Sequence, residues 1–272
     1  MFEELRNNDF QKNLPLGPIG SESEFYAFWS KYLSGEKNLT VKAFKGGMCS
    51  DRFAWVFLSG YQSAIQHTFS EMSSDHWASF AVSEDRKGTL PGLDWSKTEK
   101  GILLNGYKTW VAAVDQMNTI IVKAGRGDRA VYLAVDRDHS NLTLTRKEQG
   151  FLPEMSEGVA HFQDAVVSEK DLLSDKNVKQ FGKIEILYIY LAFCGLVASK
   201  SKDTTVVDNS WAIAEEISAL VHSEDFFALK EVDAKVQQLR DEAGGNMLGV
   251  SGWDADQKLI AMYSKGIQSR GD

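Results

Sequence analysis

Three groups of residues in this 272-residue chain have the types and spacing to do chemistry. The first is Phe80-Ala81-Val82-Ser83-Glu84-Asp85 followed by Gly88-Thr89: a strand-like run ends in a hydroxyl, a glycine then lets the backbone approach a bound group closely, and Thr89 supplies a second hydroxyl. The second is Lys108-Thr109-Trp110-Val111-Ala112-Ala113, where a large aromatic ring closes a strand-like run. The third is Glu185, which stands at the head of the nearly apolar run 186–198. A carboxylate in an apolar wall has a raised pKa, which suits a general base working near neutrality. Each group also has a plain structural reading. Ser83 fits a turn hydroxyl, Trp110 a core or interface aromatic, and Glu185 an acid favoured by the dipole in the first turn of a helix.

Composition narrows the classes. A hydrophobic share of 43% is enough to bury a sizeable core, and a formal charge of -8 argues against a nucleic-acid surface. Cys49 and Cys194 are far apart, so neither a disulfide framework nor a metal-ligand spacing is indicated, and free buried thiols in a reducing cytoplasm are expected. The histidines at 67, 76, 139, 161 and 222 have no metal-like spacing, and P-loop, Gly-x-Ser-x-Gly and Rossmann glycine patterns are missing. The opening Met1-Phe2-Glu3-Glu4-Leu5-Arg6 does not have the layout of a signal peptide, and 186–198 is shorter than a bilayer span of roughly 18–20 residues. A cytoplasmic protein without a membrane span is the expectation, with 186–198 as a buried core helix.

The elements that must carry these residues follow from period. Residues 1–22, with Pro15, Gly17, Pro18 and Gly20, read as a surface arm. Helical spacing predicts Glu24–Tyr32, with Ser21 or Ser23 as N-cap, and Ser50–Glu71, capped by Ser50 or Asp51. From Trp77 the pattern alternates, predicting strands at Trp77–Val82, Ile102–Val111, Thr119–Ala124, Arg129–Asp136, Leu142–Lys147 and Val159–Val167. Gly125-Arg126-Gly127-Asp128 reads as a hairpin turn, and Asn105-Gly106 as a turn or a bulge. Helical patterns return at Ile184–Ser199, Trp211–Arg240 and Ala255–Ile267, with 244–254 a glycine-rich loop in which Gly244-Gly245 stops a helix. The predicted class is segregated α+β: an N-terminal arm and small helical region over 1–75, a central antiparallel β-barrel or sheet over 76–175, and a C-terminal helical region over 176–272.

The run from Gly101-Ile-Leu-Leu-Asn-Gly-Tyr-Lys-Thr-Trp110 to Asp164-Ala-Val-Val-Ser-Glu-Lys-Asp-Leu-Leu173 resembles the middle β-domain of the acyl-CoA dehydrogenases, and the resemblance covers roughly residues 50–200. It implies FAD held against an acyl-CoA or other acyl thioester. By resemblance the cofactor contacts are Phe80, Val82, Ser83, Gly88, Thr89, Trp110, Val111 and Ala112, with Trp110 over the flavin ring. Asp85 stands where the family has proline, and Ala112 and Ala113 where it has threonine and asparagine. Each lost neutral hydrogen bond is worth about 0.5–1.5 kcal/mol. Aligning Gly195 with the family's glycine places Glu185 at the early-helix base position, with Ile186 in place of an arginine, and the alternative C-terminal Tyr-Glu-Gly-Thr segment is missing. The implied reaction is α,β-desaturation in fatty acid metabolism, with electrons leaving to an electron-transfer flavoprotein from a homo- or hetero-oligomer. The rival reading is a catalytically silent homologue for binding or assembly, or one subunit of a hetero-oligomeric dehydrogenase.

Overall fold

The computed structural model describes residues 2–6, 10, 17–223, 226–244, 247 and 249–268. They form two units: a helical one from Met1–His67 with Phe181–Asp272, and a β-rich one, Thr68–Gln180, inserted in sequence between the two helical halves.

The helical unit contains α1 (Phe2–Arg6), α2 (Glu22–Tyr32), α3 (Leu39–Met48), α4 (Phe53–Thr68), α5 (Phe181–Lys200), α6 (Thr204–Leu220), α7 (Phe226–Ala243), α8 (Trp253–Asp256) and α9 (Lys258–Gln268). Side chains set several of its starts. Ser21 and Glu24 cap α2 reciprocally, Asn38 accepts from the Thr40 and Val41 amides to start α3, and Asp203 does the same for α6. The expected 211–240 helix is in fact two helices, α6 and α7, because the apolar stripe resumes in register after the break and so hides it. The helix α3 was not expected, since Gly46-Gly47 near its end reads as a breaker.

At the centre runs α5, buried from Ile186 through Ala198 and packed against α3 and α6. It is longer than the apolar run suggested. By length and composition alone it could cross a membrane, but most of it is buried inside this unit. Glycines bring its neighbours to backbone contact. A Cβ on Gly47 would lie 1.8 Å from the Ala192 carbonyl oxygen, and one on Gly195 would lie 2.0 Å from the Phe44 carbonyl oxygen. Only hydrogen fits at this crossing. A polar clamp ties the last helices to α5: fully buried Asp233 accepts from Tyr190 Oη (2.6 Å), Ser264 Oγ (2.8 Å), Gln268 Nε2 (2.6 Å) and Gln237 Nε2 (3.2 Å). Cys49 and Cys194 are both buried and free.

The β-rich unit holds β1 (Ala78–Ala81), β2 (Asp94–Thr98), β3 (Gly101–Ala112), β4 (Thr119–Ala124), β5 (Val131–Asp136), β6 (Leu142–Arg146), β7 (Glu157–Val167) and β8 (Leu172–Leu173). They make two four-stranded sheets, β1-β4-β5-β8 and β2-β3-β7-β6, so the barrel expectation resolves into a pair of sheets. The all-antiparallel expectation needs one correction: β1 and β4 run parallel, Ala78 opposite Thr119, joined by the long excursion through β2 and β3. Period alone is blind to strand direction. The glycine turn joins β4 to β5 as expected, with Gly125 at φ 78° and Gly127 at φ 56°. Asn105-Gly106 lies within β3 at a bulge against β7, and a second irregularity falls between Lys108 and Val111.

Candidate functional site

Residues 82–92 leave β1 and lie along β3. The Thr109 amide donates to the Ser83 carbonyl (2.9 Å) and the Tyr107 amide to the Pro91 carbonyl (3.0 Å). Beneath this strap the Lys108 ammonium, 1% exposed, donates to Glu84 Oε1 at 2.8 Å, while Arg126 reaches Glu84 Oε2 at 3.1 Å. Burial pulls the Lys108 pKa down and Glu84 opposes it. Burial acts on the Glu84 carboxyl in the opposite sense, but its bonds to Lys108 and Arg126 outweigh burial and hold it below the ordinary range.

Asp85 organises the rest of the loop. Its carboxylate takes the Thr89 hydroxyl, the Lys87 amide (2.9 Å), the Thr89 amide (2.8 Å) and the Leu90 amide (3.0 Å). These bonds, the Thr89 hydroxyl foremost, depress its pKa strongly. The loop is therefore an anion nest filled by its own side chain. Gly88, at φ 72°, turns the chain around that carboxylate, and both donors of Thr89 are committed to it. Asp85, which stands where the family has proline, is thus a loop cap, and an aspartate ahead of a glycine turn is a recognised signal for one.

The expected cofactor contacts thus divide into two sets. Ser83 is exposed, as is Val82 at 43%, and Trp110 is half-buried where the β3 bulge sets Thr109 and Trp110 opposite Val159. A bulge re-aims side chains in this way. In contrast, Phe80 packs among Phe69 and Tyr132, Val111 and Ala112 are fully buried, and the Ala112 amide is taken by Ser79 Oγ at 2.9 Å. Ser79, which sequence reasoning passed over, holds the end of β3 where a threonine was expected to hold a flavin. Next to it Ala113 adopts a left-handed φ of 51°. The fit to FAD is therefore partial: Ser83 and Trp110 present groups suited to a planar polar ring, whereas the donors at 87–90 are not free to hold phosphate.

Glu185 sits in the helical unit, in the second turn of α5. It is partly exposed, yet dense apolar surroundings raise its carboxyl pKa to about 7 with no ion pair or hydrogen bond among the described residues to oppose the shift. Its companion was not foreseen: the Tyr263 phenol on α9 is pushed well above its usual range by burial and then by the charges of Glu185, Tyr61 and Tyr190. Nothing in the spacing of 185 and 263 signals this meeting. Among the described residues no cluster of three or more His, Cys, Asp or Glu side chains could hold a metal.

No family model matches the chain, and no curated protein matches it by sequence. Its fold is matched closely by solved structures. A FAD-dependent dehydrogenase superposes with a TM-score of 0.65 at 12% identity, covering 98% of this chain and 91% of its own. An acyl-CoA dehydrogenase from Geobacillus kaustophilus gives 0.62 at 14%, covering 98% and 92%, and a glutaryl-coenzyme A dehydrogenase in complex with glutaryl-CoA gives 0.60 at 12%, covering 98% and 88%. Helical segment, paired sheets and helical segment, in that order and over nearly the whole length, are the fold of the acyl-CoA dehydrogenase flavoproteins.

Proposed function

We propose that this chain is an acyl-CoA dehydrogenase-like flavoprotein acting on an acyl thioester, with Glu185 as the base that removes the α-proton. The observation that carries the reading is Glu185 itself, a carboxylate with no ion pair or hydrogen bond among the described residues and with a pKa that burial raises to about 7, which can accept a proton at neutral pH and release it to water afterwards. FAD, when bound, supplies the acceptor for the two electrons that leave with the β-hydrogen. Ser83 and Trp110 are the side chains that would meet its ring. Similar folds named for FAD and for a glutaryl-CoA complex support the cofactor and the substrate class. An electron-transfer flavoprotein as acceptor and an oligomeric assembly belong to the same reading.

A second reading rests on a separate observation. The loop donors at 87–90 are closed by Asp85 and the Ala112 amide by Ser79, as expected of a scaffold that keeps the fold for binding or assembly. Two measurements separate them. Purified protein that carries flavin absorbance near one FAD per chain, with acyl-CoA oxidation that collapses in Glu185→Gln, supports the dehydrogenase. Colourless protein that takes up no added FAD leaves the scaffold reading, and full turnover in Glu185→Gln removes the assigned base.

A further inference from the structure

A cleft of about 410 Å³ in the helical unit is lined by Lys37, Asn38, Leu39, Thr40, His67, Tyr188, Ser218 and His222. Its basic groups come from three places in the chain: Lys37 just before α3, His67 at the end of α4, and His222 just past α6. The two imidazoles stack with centroids 5.5 Å apart and planes at 28°. His67 Nδ1 shares a proton with Tyr188 Oη at 3.0 Å, which leaves its Nε2 and both nitrogens of His222 without a hydrogen bond among the described residues. Ser218 Oγ donates to Thr40 Oγ1 (3.2 Å) and Thr40 Oγ1 to Asn38 Oδ1 (2.8 Å), so the hydroxyl wall is already ordered. None of the lining residues is a carboxylate. Glu36, next to Lys37 in sequence, is paired with Lys45 at 2.6 Å, and the buried Lys42 on α3 donates to Gln66. In a chain of charge -8, this cleft brings a lysine and two imidazoles, with no carboxylate, around a concave polar surface.

We propose that the cleft binds a dianionic phosphoryl group, free or carried as a monoester, through Lys37, His67 and His222. His67 has no acidic partner among the described residues, so an anion seated between the imidazoles and Lys37 supplies the counter-charge it lacks. Without one, burial and then the charge of His222 lower the His67 pKa. Binding therefore couples to proton uptake and strengthens as pH falls.

Sulfate is the first probe, because its charge is fixed over the relevant range. Imidazole proton NMR should show sulfate raising the titration midpoint of His67, with binding about tenfold tighter near pH 6 than near pH 8. His222→Gln and Lys37→Gln change exposed residues, so both should fold as wild type while sulfate binding weakens at least about fivefold. Inorganic phosphate and coenzyme A distinguish the source: saturation by phosphate alone indicates the free ion, and a response only to coenzyme A indicates a carrier's phosphate. A His67 midpoint unmoved by all three probes, or moved in both variants as much as in the wild type, overturns the proposal. These readouts use neither flavin nor turnover, so they stand apart from the fate of the dehydrogenase reading.

Discussion

The two units treat their polar groups in opposite ways. In the β-rich unit nearly every group near the expected cofactor surface is engaged internally: Asp85 with the loop donors, Lys108 with Glu84, Ser79 with the Ala112 amide. In the helical unit, Glu185, Lys37 and His222 are left without ion-pair or hydrogen-bond partners among the described residues. Closed networks fix a shape, whereas open titratable groups answer to ligands and pH. The contrast shows that the unit whose sequence most resembles a known cofactor domain is not the one with the most available chemistry.

The largest effect should come from the exception in the helical unit, its closed Asp233 clamp. Asp233→Ala leaves Tyr190, Ser264 and Gln268 without this acceptor and Gln237 with only its longer bonds, and should cost about 3–5 kcal/mol in urea unfolding. A loss below about 1 kcal/mol would mean the clamp is not closed. Next comes Lys108→Met, which leaves Glu84 with only the exposed Arg126. About 2–3 kcal/mol should be lost, read as faster amide exchange in β3 and β7, and unchanged exchange would break the contrast on the β side.

Glu185→Gln should move stability the other way. The folded pKa, about 7, lies above the unfolded value, so the ionised carboxylate burdens the native state as pH rises through that window, and the burden vanishes in acid. Allowing for partial exposure, the variant should gain about 2 kcal/mol near pH 8 and almost nothing near pH 4, as followed by thermal melting. An equal gain at both pH values would show that Glu185 is not held in apolar surroundings. The smallest change belongs to Asp85→Ala: faster exchange of the Lys87, Thr89 and Leu90 amides, with global melting unmoved. Slow exchange in that variant would mean that something other than Asp85 fills the loop.

What was legible in the sequence was what leaves a periodic trace. Thr119–Ala124 matches its strand end to end, and the other alternating runs lie within a few residues of β1, β3, β5, β6 and β7. Asp94–Thr98 escaped notice because it is a mostly exposed edge strand of polar residues with no inward face to alternate. Leu172–Leu173 is too short to have a period. Of the residues proposed for the site, Ser83 is exposed and Trp110 half-buried, and the apolar run that follows Glu185 was enough to expect its raised pKa. Phe80, Val111 and Ala112 look the same in sequence whether they face a cofactor or their own core, and only packing tells which. His67, Tyr188 and His222 meet across gaps of 121 and 34 residues, a closeness that no local pattern encodes.

The glycine crossing of α5 with α3 carries a consequence for how the chain acquires its shape. Gly47 and Gly195 stand on opposite sides of the inserted β-rich unit, so α3 and α4 leave the ribosome long before the helix they pack on exists. At synthesis rates of roughly 5–20 residues per second, the β-rich unit has all its strands in hand while the first helices still display bare apolar faces. Closing the helical unit around α5 therefore joins residues far apart in sequence, a high-contact-order step.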